Sequence, residues 1–238
     1  MEGETKIITG SFVGNVFLWM FAALGITALT AYLVSNTQLS ELLFRVSQNG
    51  GFSMAIYNWV IVMSPLIIIY LMSEKMDRLN VSQLTGLYLL YSLLMGVSLS
   101  SIFTAYSSIS IFKTFIITSA MFGVMAMAGY TTKADLSKFG PILLMGLIGI
   151  IIAIVVNYFM HSQLADYITS IIGIAIFTGF TAYDMKNIRK IAEAGIDNKE
   201  IIAKLTVQAA FSLYMDFINL FLFQSKFSGK SNKGSNKF

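Results

Sequence analysis

Residues 204–223 read KLTVQAAFSLYMDFINLFLF. A hydrocarbon core about 30 Å thick takes about 20 apolar residues of helix, and this stretch has that length. Gln208, Ser212, Asp216 and Asn219 recur through it at i, i+4, i+8 and i+11. On a helix of 3.6 residues per turn those positions share one face. An aspartate at the centre of a membrane helix costs about 2.5–3.5 kcal/mol on insertion scales, and so calls for a partner or a water-filled cavity. The stretch reads as a membrane helix whose polar face looks into a bundle.

The rest of the chain agrees. Of 238 residues 56% are hydrophobic and only 12% charged, with mean hydropathy +0.73. Soluble domains carry about 25% charged residues. Apolar runs lie at 12–34, 52–72, 84–105, 112–130, 141–160, 168–185 and 205–223. The expected architecture is an all-α integral membrane protein, a bundle of seven transmembrane helices over residues 12–224. Residues 1–11 precede it, and a polar, Lys-rich tail reading as disordered fills 225–238. Glu2, Glu4 and Lys6 before the first run, and that run's length, read as a retained span instead of a signal peptide.

Basic residues give the orientation. With the amino terminus cytoplasmic, that side receives Lys6, Lys75, Arg78, Lys133, Lys138, Lys186, Arg189, Lys190, Lys199 and Lys204, against Arg45 and Lys113 opposite. This bias follows the positive-inside rule, and the membrane expected is a bacterial inner (cell) membrane. The tail, with Lys226, Lys230, Lys233 and Lys237, opposes it: seven spans put those lysines outside, whereas an even count or a last helix that dips and returns puts them inside. Because the lysines sit at the ends of apolar runs, orientation accounts for the net charge of +4, and no nucleic-acid partner is expected. Small residues mark expected helix contacts: Gly123, Ala126 and Gly129, then Gly146 and Gly149, then Gly173 and Gly179.

The absence of cysteine excludes thiol catalysis and disulfides. His161, in a short polar break, reads as a loop residue, and one histidine builds no zinc cluster. Glu74, Lys75, Asp77 and Arg78 read as a solvated connection. Trp19, Trp59, Tyr88, Tyr91 and Tyr130 read as packing or interfacial belts.

A second aspartate, Asp184, ends the sixth run in FTGFTAYDMKNIRK (177–190), flanked by Thr181 and Asn187 at i−3 and i+3. Two readings stay open for it: an interfacial carboxylate paired with a following lysine, or a partner for Asp216. Asp216 likewise has two, a carboxyl satisfied by Ser212 or Asn219 on its own helix, or one that looks across the bundle. If the aspartates meet, like charges a few ångströms apart cannot both ionise cheaply, so the pair shares a proton. Protonated, it is a hydrogen-bonded clasp; doubly ionised, it repels itself and attracts a cation.

Three segments carry a resemblance: FTGFTAYDMKNIRK, SLYMDFINLF (212–221) and GYTTKADLSKFGPILLMGLIGIIIAIVVN (129–157). Together they resemble the bacterial Bax-inhibitor (TMBIM) family, and the similarity runs from the first span onward. The resemblance implies seven helices with the last one central and surrounded by six. It places the family's paired aspartates on Asp184 and Asp216, as pH sensor and ion path of a calcium leak. Calcium is then the expected permeant or bound ion, with Asp184 and Asp216 its candidate ligands; no other cofactor is implied. A basic latch near the second span is also implied, for which Lys75 and Arg78 in SEKMDRLN are the candidates. LFQSKF (222–227) departs from the family's usual Leu-Leu-Arg run.

Three functions compete. The first is a pH-sensitive calcium or cation leak channel, not an enzyme, with Gln208, Ser212, Asn219, Thr181 and Asn187 supporting the pair. The second, also from the resemblance, is a regulator that restrains a membrane-bound ATP-dependent protease. The third is an intramembrane aspartyl protease. Against the third, SLYMDF replaces Gly-x-Gly-Asp, and neither Pro65 nor Pro141 lies in a Pro-Ala-Leu segment.

Overall fold

The structure is a computed structural model and describes residues 2–37, 64–65, 67–72 and 78–228. Six long helices dominate: α1 (Glu2–Ser35), α2 (Val81–Ala105), α3 (Ser108–Thr131), α4 (Phe139–Met160), α5 (Gln163–Glu193) and α6 (Lys199–Ser228). Each holds a window long and apolar enough to cross a bilayer. No strand occurs among the described residues. The protein is an all-α membrane bundle. Of the second apolar run, only 64–65 and 67–72 are described, and both pieces are helical. Arg45, Trp59, Glu74, Lys75, Asp77 and the tail past Ser228 lie outside the described residues.

Short polar residues set the boundaries by satisfying the orphaned amides of a helix start. The Asn80 side chain accepts from the Gln83 amide at 2.8 Å while Gln83 returns a bond to the Asn80 amide at 3.1 Å. Ser107 caps α3 and Ser162 caps α5. His161 is the left-handed residue that ends α4, with φ of 53° and its amide on the Asn157 carbonyl at 2.8 Å. It is a terminator, as a loop reading implies. The sixth run extends well past 168–185 at both ends. At 1.5 Å per residue, α5 is about 46 Å long, longer than the hydrocarbon core. Its terminal turns therefore reach the interface, where Asp166 and Lys186 to Glu193 are tolerated.

Cross-helix pairs give the directions. Trp19, Tyr88 and Ala210 meet at one level and Thr27, Ser92 and Tyr214 at the next, so α1, α2 and α6 run parallel. Asp184 meets Ser212, and Phe177 stacks on Phe223 with ring centroids 5.8 Å apart, so α5 runs against α6. Because α1 and α2 are parallel, the chain has to return to its starting end between Ser35 and Val81. Helix α6 crosses in one piece, placing Lys226 at the opposite end from Lys199. Of the alternatives for its lysines, a dip and return is excluded as far as Ser228.

Helix α6 is the core of the bundle. Over half of its apolar window, 56%, is buried, and it packs against α1, α2, α3 and α5. Helix α4 is the opposite case, with 6% of its window buried and α5 as its principal neighbour. The central last helix is thus enclosed by four of the other five described helices, and α4 stands outside that ring. Helix α3 shows how spacing selects a face: Thr114, Thr118, Phe122, Ala126 and Gly129 are its buried residues, three or four apart. A Cβ on Gly129 would collide with the Ala182 carbonyl of α5. Gly146, Gly173 and Gly179 also meet neighbouring side chains, whereas Gly123 and Gly149 have nothing within 4 Å and mark no contact.

Candidate functional site

A five-residue turn, 194–198, joins the helices that carry the two aspartates. Gly195 adopts φ of 63° within it, a left-handed backbone that glycine reaches without strain. The Asn198 side chain then accepts from the amides of Glu200 and Ile201 at 2.9 and 3.1 Å, starting α6. The result is an antiparallel helix pair in tight contact; a Cβ on Gly173 would strike the Phe223 ring at 2.5 Å.

That packing brings Asp184 to Ser212, whose hydroxyl donates a short hydrogen bond to Asp184 Oδ2. Asp216 lies one turn deeper along α6, 5% exposed, and its Oδ2 has no hydrogen-bond partner among the described residues. The polar neighbours on its own helix are engaged elsewhere. Asn219 Nδ2 donates to the Met215 carbonyl at 2.8 Å, and Ser212 serves Asp184. Thr181, fully buried, donates to the Phe177 carbonyl at 2.8 Å. The reading in which Ser212 or Asn219 satisfies Asp216 therefore fails. Among the described residues no hydrogen bond joins the two carboxyls directly; across the helix pair Asp184 is bonded by the hydroxyl of Ser212.

Two clefts meet at this point. One, about 160 Å³, is lined by Asp184, Asn187, Gln208 and Ser212 over an apolar floor that includes Ile188 and Leu205. The other, about 270 Å³, is lined by Gln208, Ser212, Met215, Phe211, Leu84 and the stretch holding Ile69 and Met72. Gln208 and Ser212 belong to both. The polar stripe of α6 thus faces clefts on its upper turns, while Asp216 is sealed beyond them. No group of three or more His, Cys, Asp or Glu side chains occurs among the described residues. Calcium takes six to eight oxygen ligands. The oxygens that line the clefts, on Asp184, Ser212, Gln208 and Asn187, are fewer than that set, and Asp216 lines neither cleft.

Aromatic packing fixes the rotation of α6 that presents these groups. Tyr88 and Tyr91 of α2 meet Phe211 and Tyr214 edge-on, at centroid separations from 5.0 to 5.8 Å. Phe122 of α3 holds Phe217 in the same way at 5.5 Å. Thr27 of α1 donates to the Ser92 carbonyl at 2.9 Å, which leaves the Tyr214 hydroxyl to donate to Thr27 at 2.7 Å. Sequence reasoning missed Thr27; its one signal is a hydroxyl at mid-helix in an apolar run. Among the latch candidates, Arg78 is exposed in the turn before α2 and forms no ion pair with either aspartate, and Lys75 is outside the described residues. The lysine partner considered for Asp184 is absent too: Lys186 donates to the Thr132 carbonyl and Lys190 to Ser137.

Comparison with known proteins adds the lineage. Residues 9–232 match the family described as inhibitor of apoptosis-promoting Bax1. A protein of Borreliella burgdorferi described as uncharacterised is 40% identical over 229 residues, 96% of each chain. The inner membrane protein YbhL of Escherichia coli is 38% identical over 215 residues, 89% of this chain and 88% of its own. A Streptococcus pyogenes membrane protein, also described as uncharacterised, is 30% identical over 229 residues. The family match takes in all or most of every described helix, and the chain belongs to the Bax-inhibitor family of membrane proteins.

Proposed function

We propose that the protein is a non-enzymatic, pH-sensitive cation leak pathway, with calcium as its ion and Asp184 and Asp216 as its switch. The observation that carries this reading is the buried, unpartnered Asp216 Oδ2, one turn from the hydroxyl that binds Asp184. A carboxyl kept from water and without a donor has two ways to lower its energy, taking up a proton or a cation. The clefts at Gln208 and Ser212 bring water or an ion to within a helical turn of it. The pair thus couples proton binding to cation entry.

The proposed setting is a bacterial inner membrane, with the first end of α1 and the α5–α6 turn both on the cytoplasmic side. The parallel course of α1 and α6 supports that arrangement, since it gathers the basic ends on one face. The test is calcium flux into liposomes holding the purified protein, followed with an entrapped indicator across a pH series. Wild type should show a pH-dependent flux, and Asp216→Asn and Asp184→Asn should each flatten the profile. A flux of unchanged size and pH dependence in both variants would overturn the reading.

A further inference from the structure

Apart from the two clefts at Gln208 and Ser212, the α3–α4 connection and the last turns of α5 enclose a cleft of about 310 Å³ lined by Thr132, Lys133, Lys186, Arg189, Lys190 and Glu193, none of which lines the other two. Four cations and one carboxylate share it. Glu193 is committed to Arg189, at 2.7 Å. One more carboxylate is near: the Ser137 amide holds Asp135 below the usual carboxylate range, and Lys190 and Lys186 reinforce this. Four positive groups against two negative leave the cleft with an excess of two positive charges.

Helix capping explains half of the cluster. The carbonyl end of α3 carries roughly half a negative charge and favours cations. Arg189 donates to the Tyr130 carbonyl at 2.7 Å with its guanidinium 5.5 Å from the Tyr130 ring centroid, and Lys186 donates to the Thr132 carbonyl. Lys133 and Lys190 are not needed for that. Lys190 makes one bond, to the Ser137 hydroxyl at 3.1 Å, and Lys133 makes no hydrogen bond or ion pair among the described residues. Both are exposed, and both line the concavity. Placement adds a second constraint. The cleft lies where α5 outruns the hydrocarbon core, level with lipid headgroups. The apolar outer face of α4, with Phe139, Ile142 and Met145 exposed, starts at the same loop.

We infer that this cleft is a binding site for a phosphate-bearing anion, either the headgroup of an anionic lipid or a soluble phosphate. Arg189 and Lys186, fixed by their carbonyl bonds, form the rigid floor. Lys133 and Lys190 close on the phosphate oxygens from the rim, and a lipid's acyl chains descend along α4. Basic pockets at the ends of membrane helices recognise anionic headgroups through this combination of charge and position.

Native mass spectrometry of the full-length protein, in micelles holding equal phosphatidylglycerol and phosphatidylcholine, tests the site, with the thermal midpoint read beside it. For a lipid headgroup, phosphatidylglycerol should be retained over phosphatidylcholine. The Lys133→Gln, Lys190→Gln double variant should then lower that retention about thirtyfold, and the corresponding Arg pair should restore it. For a soluble phosphate, millimolar inorganic phosphate should displace the lipid, or raise the midpoint above that in chloride at equal ionic strength, in wild type but not in the Gln pair. Equal retention of the two lipids with no response to phosphate would overturn the proposal. So would binding that is the same in wild type and a folded Gln pair.

Discussion

At the scale of single residues, Ser212 ties its helix to Asp184 on the other through one hydroxyl. Truncation by Ser212→Ala strands Asp184 Oδ2, and losing a donor to a half-buried carboxyl costs about 1–3 kcal/mol. Thermal unfolding in detergent should register that loss in wild type and almost none of it in an Asp184→Ala background; equal losses in both would show that the bond contributes nothing. Asp216 should behave in the opposite sense. Its buried oxygen has no donor to lose, so Asp216→Val, the nearest apolar shape, should raise stability by about 1–3 kcal/mol while abolishing pH-dependent flux. A variant both less stable and still pH-responsive would refute that assignment. The depth of Asp216 and the shared face of Gln208, Ser212 and Asn219 are legible in the sequence, because depth follows from run length and a face from periodicity. The partner of Ser212 is not, because sequence does not give the rotation of α6 about its axis. That rotation is set by Tyr88, Tyr91 and Phe122 on other helices, so a hydroxyl one turn from Asp216 turns to Asp184 instead.

At the scale of helices, contact depends on which small residues face a neighbour. Gly129→Ala sets a methyl against the Ala182 carbonyl, backbone against backbone with nothing able to yield, and should cost about 1–3 kcal/mol. Gly149→Ala meets open space and should gain up to about 1 kcal/mol from lower chain entropy. Paired melting curves separate the two, and a shift of the same sign in both would contradict the packing of α3 on α5. Sequence alone places Gly123 and Gly149 alongside Gly129 and Gly146, since small size shows that approach is permitted and not that it occurs. Helix ends are similarly underread. The sixth run stops at 185 by hydropathy, yet α5 continues to Glu193, because Lys186, Arg189 and Lys190 favour helix as well as water and take carbonyl and hydroxyl partners at the end of α3 and on the connection after it.

At the scale of the molecule, the parallel course of α1, α2 and α6 makes a topological prediction that the chain is well suited to test, because it contains no cysteine. Single thiols introduced as Lys199→Cys and Ser228→Cys should react with a membrane-impermeant reagent from opposite faces of a sealed vesicle. Reaction of both from one face would refute the single crossing of α6. The same arrangement bears on biosynthesis. The most enclosed helix is the last of the described helices to leave the ribosome, so α1 to α5 have to stand in the bilayer with their central place unfilled until α6 arrives. Because a five-residue turn ties α6 to α5, the carboxyl at position 216 enters lipid beside the helix that bears Asp184 and never as a solitary charged segment. Closure of the bundle around its centre therefore waits for α6, and a chain cut before α6 would insert yet have no centre on which to close.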